Sequence, residues 1–295
     1  MTRSPNTDLL QSDTTAGAVR RPVERWRDGA VRQVDDHVAE EVPVAFVYND
    51  VPFAVMMATP ADLEDFARGF AISEGIVDAP GDVAIEGIAH FIEGIEIRLR
   101  IPEARAEALA LRRRSMSGRS GCGVCGSELL EAALRYPAPV TTDVRVSPES
   151  LSRALRALRD AQSIAALTGA THAAGWASLD GTLQFAREDV GRHNALDKLI
   201  GALHAGDFDP ANGFLVVTSR ASYEMAMKAA SVGIALMAAI SAPTALAISL
   251  AQRAHLTLIG FARDDGHAVY THAQRLLPPP ATSPVAARTG RSFAP

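Results

Sequence analysis

Cysteine is almost absent from this chain, with two in 295 residues, Cys122 and Cys125. That excludes a disulfide framework and a four-cysteine zinc site. A basic excess is absent too: 29 Lys and Arg stand against 34 Asp and Glu, a formal charge of −5, which argues against a general nucleic-acid binder and leaves room only for local basic patches. The N-terminus, MTRSPNTDLLQSDTTAGAVRRP, has no apolar run, so no secretory signal is expected and the reducing cytoplasm is the expected compartment. One charge-free run, between Lys228 and Arg253, approaches the roughly 20 residues a bilayer requires. Pro243 interrupts it and Ala and Ser fill it, so it reads as strand, turn and helix in an α/β core, and no membrane span is expected. Neither a Gly-x-x-x-x-Gly-Lys-Ser/Thr loop nor a Gly-x-Gly-x-x-Gly fingerprint follows a strand, which sets aside an ordinary ATPase and a Rossmann dehydrogenase. What is present is a globular composition, 47% hydrophobic and 21% charged, enough for one large or two modest domains.

The chain divides by composition. Residues 1–25 and 278–295 are poor in large apolar residues and read as disordered tails. Residues 26–114 read as a small α+β domain. In it VPVAFVYND and VPFAVMMA form a hairpin at Asn49-Asp50, Thr59-Pro60 opens a helix with Thr59 as its cap, AIEGIAHFI and IEIRLRI are strands, and PEARAEALALRRR is a helix. Residues 115–127, SMSGRSGCGVCGS, read as a mobile glycine-rich loop, after which Ser127 can cap the helix ELLEAALRY. Residues 128–277 read as an α/β domain. Ser147-Pro148 starts one long helix to Thr168, THAAGWASL and LQFAREDV pair around Asp180-Gly181, a helix begins near Gly191, and strands and helices then alternate through LTLIGFA. That alternation implies parallel strands with right-handed crossovers, whose ligands bind beyond the carboxyl ends of the strands.

Cys122 and Cys125 sit in Gly121-Cys122-Gly123-Val124-Cys125-Gly126, not in the apolar run that houses a structural cysteine. Arg112, Arg113, Arg114 and Arg119 precede the pair and a helix N-terminus follows, and both settings favour thiolate. A zinc site would need two more ligands from His172, His193 or His267. A thioredoxin-like pair should follow a strand in a βαβ unit, which this one does not. A sulfur carrier, in which a thiolate takes up sulfane sulfur as a persulfide, is the favoured reading. A second set of polar residues falls at strand-to-helix turns: Arg187 to Asn194, with Arg192, His193 and Asn194; Ser219, Arg220 and Ser222, with Lys228 behind; and Phe261-Ala262-Arg263-Asp264-Asp265-Gly266. Together they suggest one pocket for a phosphate-bearing ligand, with His172 at a strand start beside it.

These residues resemble the formate dehydrogenase accessory sulfurtransferases, the FdhD family. The resemblance is carried by TPADLEDFARGFAISEG at 59–75, GCGVCG at 121–126, TGATH at 168–172, EDVGRHNALDKLIG at 188–201, TSRASYEMAMKAA at 218–230, SAPTALAISLA at 241–251 and LTLIGFARDDGHAVYTH at 256–272. It implies a cytidine-deaminase-like fold for the second domain, usually in a homodimer, within an α/β (α+β overall) chain. It implies a sulfurtransferase that takes persulfide sulfur from a cysteine desulfurase, on Cys122, and passes it to the molybdenum cofactor, a bis-molybdopterin guanine dinucleotide bound as substrate, before insertion into formate dehydrogenase. It also implies guanine-dinucleotide binding at Phe261 to Gly266. A cofactor-binding chaperone that moves no sulfur is the alternative. Deamination is not expected: Ala173 and Ala174 follow His172 where a His-x-Glu motif would need its Glu, and no proline precedes Cys122. Two cysteines complete only half a tetrahedral shell, so no intrinsic metal is expected.

Overall fold

In the computed structural model, which describes residues 15–117, 134–206 and 208–278, the chain forms sheets of two, four and six strands. The two-stranded one corrects the expected N-terminal tail, since β1 (Ala18–Arg27) pairs in antiparallel with β2 (Ala30–Ala39). Asp28 and Gly29 both take positive φ, 52° and 74°, the conformation that a tight two-residue hairpin demands and that an Asp-Gly pair supplies. Val23 faces Val34 and Trp26 faces Val31 across the ribbon, and Arg20 and Arg25 pair with Asp35 and Asp36. Residues 1–14 and 279–295, the remainder of both expected tails, lie outside the described residues.

The four-stranded sheet runs β4-β3-β6-β5, from β3 (Val42–Tyr48), β4 (Val51–Ala58), β5 (Ala84–His90) and β6 (Ile95–Arg100). Helix α1 (Leu63–Ser73) and helix α2 (Glu103–Ser117) supply apolar residues to its core. Helix α2 continues to Ser117, so the first residues of the expected cysteine loop are helical. The core is aromatic. Phe46 stacks on Phe70 at 4.6 Å and meets Phe66 edge-on at 5.1 Å. Thr59 does not cap α1, which begins at Leu63 behind Asp62 without a side-chain cap. Thr59 is instead fully buried and bonded to the second half of the chain: its N–H donates to Asp189 Oδ2 (3.0 Å), its Oγ1 accepts from the Val190 N–H (3.2 Å) and its carbonyl accepts from Lys198 Nζ (2.9 Å).

The six-stranded sheet has the order β12-β11-β10-β9-β7-β8. Its strands are β7 (His172–Ser178), β8 (Leu183–Asp189), β9 (Gly213–Val217), β10 (Leu236–Ala239), β11 (Thr257–Arg263) and β12 (Gly266–Val269). Strands β9, β10 and β11 are parallel, as expected from the alternation, while β7 is antiparallel to both neighbours. Leu151, Leu155 and Leu158 of α3 (Pro148–Asp160) join Phe214, Val216 and Leu236 in one core. Residues of α5 (Arg192–His204), α6 (Tyr223–Ser231) and α7 (Ala245–Arg253) join Leu215, Val217, Met237 and Leu258 in the other. Alternate strand residues thus serve opposite faces, and the sheet is covered on both. The single helix expected from Ser147 to Thr168 is two, because α4 (Ser163–Thr168) starts afresh where the Glu188 carboxylate accepts from the N–H groups of Ile164 and Ala165, each at 2.9 Å. The charge-free run becomes the end of α6, β10 and most of α7, and among the described residues no helix is long and apolar enough to cross a membrane.

The two halves meet where α1 crosses α5 with almost no side chain between them. A Cβ on Gly69 would lie 1.7 Å from the Asp197 carbonyl oxygen, and one on Gly201 would lie 1.9 Å from that of Asp65. Only glycine permits this approach. Arg187 on β8 closes the same seam, donating to Asp65 Oδ2 at 2.7 Å.

Candidate functional site at the sheet edge

Both β8 and β9 run antiparallel to β7, so they run parallel to each other. The carboxyl ends of β8, β9, β10 and β11 therefore share one edge, together with His172 at the start of β7. Helices α5, α6 and α7 follow β8, β9 and β10 and turn their N-termini to that edge. Ser222 caps α6 by accepting from the Met225 N–H, and Thr244 caps α7 by accepting from the Ala247 N–H. The loops are tied to one another: Ala221 N–H donates to the Ala242 carbonyl (3.3 Å), Thr244 N–H to that of Ala221 (3.0 Å) and Phe261 N–H to that of Ser241 (3.2 Å). Three helix N-termini side by side give this edge a positive potential without lysines, which suits an anionic ligand.

The expected site residues are distributed unevenly along it. His172, Arg192 and His193 gather at the β8 end, all half-buried. Burial and the neighbouring Arg192 charge hold the His172 imidazole below its ordinary pKa. His193 Nε2 lies 2.7 Å from Glu224 Oε2, yet burial still pushes the ring's pKa down. Glu224 was not among the expected site residues. It follows Tyr223 on α6, and its i,i+4 spacing to Lys228, matching that of His193 to Asp197, was the available signal. Arg220 is exposed, and Ser219 is buried with its Oγ donating to the Arg220 carbonyl.

Three expectations need correction. Asn194 does not face a ligand: it is buried, and its amide donates to the Met57 carbonyl (2.8 Å) and Asp189 Oδ1 (2.9 Å). Phe261, Ala262 and Arg263 are not loop residues but the end of β11, with only Asp264 and Asp265 between it and Gly266, the first residue of β12. Ala262 is buried in the core, Phe261 and Arg263 are exposed, Phe261 at a φ of 51°, and Asp264 pairs with Arg159 (3.5 Å) and Arg156 (3.8 Å) of α3. Finally, among the described residues the three segments are spread along the edge rather than gathered at one point. Four strand spacings of about 4.8 Å separate the ends of β8 and β11, so the polar residues line an edge about 19 Å long. Cys122 and Cys125 lie outside the described residues, as does the residue expected to cap the following helix, Ser127.

Behind the edge is a buried charge network that the sequence reading did not foresee. Lys228 is not offered to a ligand. Only 4% exposed, its Nζ lies 2.9 Å from both Asp197 carboxylate oxygens, from Ser73 Oγ and from Glu74 Oε1. Burial works against its charge, but Asp197 and Glu74 outweigh that and raise its pKa. Burial likewise opposes the Glu74 charge, and Lys228 with Arg135 holds this carboxyl below the usual range. Lys198 and Asp189 form a second pair at 2.7 Å with both side chains wholly buried. Ser73 and Glu74 end α1, so the network joins the first half of the chain to α5 and α6.

Comparisons with known proteins agree with this architecture. The chain is 59% identical over 276 residues to a protein of Xanthomonas campestris named sulfur carrier protein FdhD, covering 94% of this chain and 96% of that one. A Cupriavidus necator protein of the same name is 52% identical over 254 residues, covering 86% and 88%. Among solved structures, a Desulfotalea psychrophila protein assigned as a formate dehydrogenase accessory protein superposes with a TM-score of 0.69 at 25% identity, covering 88% of this chain and 99% of that one. The family model described as FdhD/NarQ matches residues 39–277, from the end of β2 through the last described strand, and the chain belongs to that family.

Proposed function

We propose that this protein is a sulfur carrier in formate dehydrogenase maturation, acting as a sulfurtransferase. The observation that carries the reading is the edge itself: three helix N-termini and the His172, Arg192 and His193 group along about 19 Å, in a chain whose only thiols are paired in a glycine-rich segment. An edge of that length suits an extended ligand with phosphates along it, such as a pyrophosphate-linked guanine dinucleotide. Phe261 and Arg263, both exposed at the β11 end, are suited to meet the guanine portion, and Arg192 and Arg220 the phosphates. The mixed sheet, covered on both faces, supports a cytidine-deaminase-like second domain. The names of the relatives support the sulfur chemistry.

In the loading step the Cys122 thiolate attacks the terminal sulfur of a persulfide on a cysteine desulfurase. The new S–S bond forms on Cys122 as the desulfurase cysteine leaves as thiolate, so the sulfane sulfur moves without net oxidation. Cys125 is suited to assist or resolve. The cargo is the bis-molybdopterin guanine dinucleotide, a substrate and not a resident group, and the recipient is formate dehydrogenase. A cytoplasmic homodimer is part of the same reading. Cys122→Ala should abolish formate dehydrogenase activation in cells, with Cys125→Ala less damaging, and mass spectrometry after incubation with a desulfurase and cysteine should find the sulfur adduct on Cys122. Full activation by Cys122→Ala would leave the chaperone reading in its place. GDP should bind at the edge, measured by calorimetry, and Arg263→Ala should weaken it; no binding at millimolar GDP would count against the nucleotide assignment.

A further inference from the structure

The carboxylates behind the β8 end of the sheet edge are committed to fixed partners. Asp189 pairs with Lys198, Asp197 and Glu74 pair with Lys228, and the Glu188 carboxylate accepts from the start of α4. Glu224 differs from all of these. Its side chain is 58% exposed in the first turn of α6, it reaches His193, and among the described residues it makes no hydrogen bond. The cations beside it are left short in turn. Among the described residues Arg192 Nε is buried without a hydrogen-bond partner, and no carboxylate pairs with this guanidinium. His193 Nε2 is buried as well, and although Glu224 Oε2 lies 2.7 Å away, the contact lacks the alignment of a hydrogen bond.

Buried donors left in this way call for an acceptor. Burial lowers the pKa of both His172 and His193 and the Arg192 charge lowers them further, with Glu224 opposing it at His193. Glu224 thus stands, imperfectly, where an acceptor is wanted. It is also an acid on an edge that otherwise suits anions, at a helix N-terminus that favours negative charge from a side chain and from a ligand alike. Exposed and poorly aligned, it can swing into solvent without breaking an aligned hydrogen bond. A ligand phosphate needs the same imidazole and the same helix end, and two negative groups repel at that separation.

We infer that Glu224 is a placeholder anion: it occupies the phosphate subsite of His172, Arg192 and His193 in the free protein and is displaced when a pyrophosphate-bearing ligand binds. The inference rests on the reading of the edge as an anion site. A ligand binds only the fraction of molecules in which Glu224 has swung away, so its apparent affinity falls by that fraction. The returning carboxylate then competes with the phosphate, which favours release from a protein that must hand its cargo on. Calorimetry of the full chain with inorganic pyrophosphate and with GDP tests this. Glu224→Gln, which keeps the shape and removes the charge, should tighten both Kd values about tenfold. Glu224→Asp, which keeps the charge and shortens the reach by a methylene, should tighten them about threefold. A carboxylate acting only through its charge would leave Glu224→Asp like the unaltered protein, and that result overturns the proposal, as does weaker binding by either variant. In the unaltered protein the His193 ring signals in nitrogen NMR should move when pyrophosphate is added, and unmoved signals also overturn it. If none of the three proteins binds either ligand at millimolar concentration, the anion-site reading falls and the placeholder with it, whereas equal binding by all three removes the placeholder alone.

Discussion

The two halves of the molecule bury different chemistry. Around α1 and the four-stranded sheet the core is built from rings, Phe46, Phe66, Phe70 and Tyr48, and among the described residues this half buries no charged side chain, only Thr59 and Ser73. Around the six-stranded sheet the core is aliphatic and rich in Ala, and this half buries Glu188, Asp189, Asp197, Lys198, Lys228 and Arg275. Large rings let few elements make a stable core. Small residues let three helices lie close to one sheet and present their N-termini together. The buried charges are concentrated at the seam, where each is matched: Asp189 accepts from Thr59, Gly191, Asn194 and Lys198, and Lys228 serves Asp197, Glu74 and Ser73. A buried charge adds little net stability but penalises every arrangement that leaves it unpaired. The aromatic half therefore acts as scaffold, and the polar seam sets where α5 and α6 stand relative to the site.

The sharpest way to break this division is at the seam. Gly201→Val places methyl groups where Asp65 backbone already sits, and the halves should fail to dock, giving aggregated protein by size-exclusion chromatography; a monodisperse, normally melting variant would show that the crossing is not needed. Lys228→Met leaves Asp197 buried beside an apolar chain and should cost about 3–5 kcal/mol in urea unfolding. Phe46→Ala in the scaffold should cost about 3–5 kcal/mol through cavity formation while leaving the Kd for GDP unchanged. A GDP defect as large as the stability defect would erase the distinction between the halves.

The smallest effect expected is on pH dependence. Burial lowers the pKa values of His172, His193, His204 and His267, all in the second half. As pH falls past about 6.5 the unfolded chain takes up these protons first, so stability should decline between pH 7 and 5.5 and be level above it. Urea midpoints across that range would show it, and a midpoint that rises on acidification would contradict the sign.

Most strands and helices were legible, because their patterns are local: Asn49-Asp50, Asp180-Gly181 and the Ser147-Pro148 helix start mark themselves in sequence. Asp28-Gly29 carried the same signal, but few large apolar residues flank it, and most of the ribbon's first strand was read as part of a tail. What stayed hidden was decided by distant partners. Nothing near Ala161 announces that the Glu188 carboxylate will start a new helix there, and nothing near Thr59 announces that Asp189 will claim its N–H. The site was half legible for the same reason. Arg192, His193, Arg220 and Arg263 were identified by residue type at strand ends, whereas the internal use of Asn194 and Lys228, and the pairing of Glu224 with His193, depend on how α1, α5 and α6 meet.

The glycine crossing also has a consequence for how the chain is made. Helix α1 is complete at Ser73, but the helix it must lie against ends at His204, roughly 130 residues later. At about 5–20 residues per second, the first half waits on the order of ten seconds with one helix face bare before its partner leaves the ribosome. Docking then closes a long loop, an entropic cost that only the finished second half can offset. Synthesis rate and chaperone supply should therefore govern the yield of this protein more than the stability of either half.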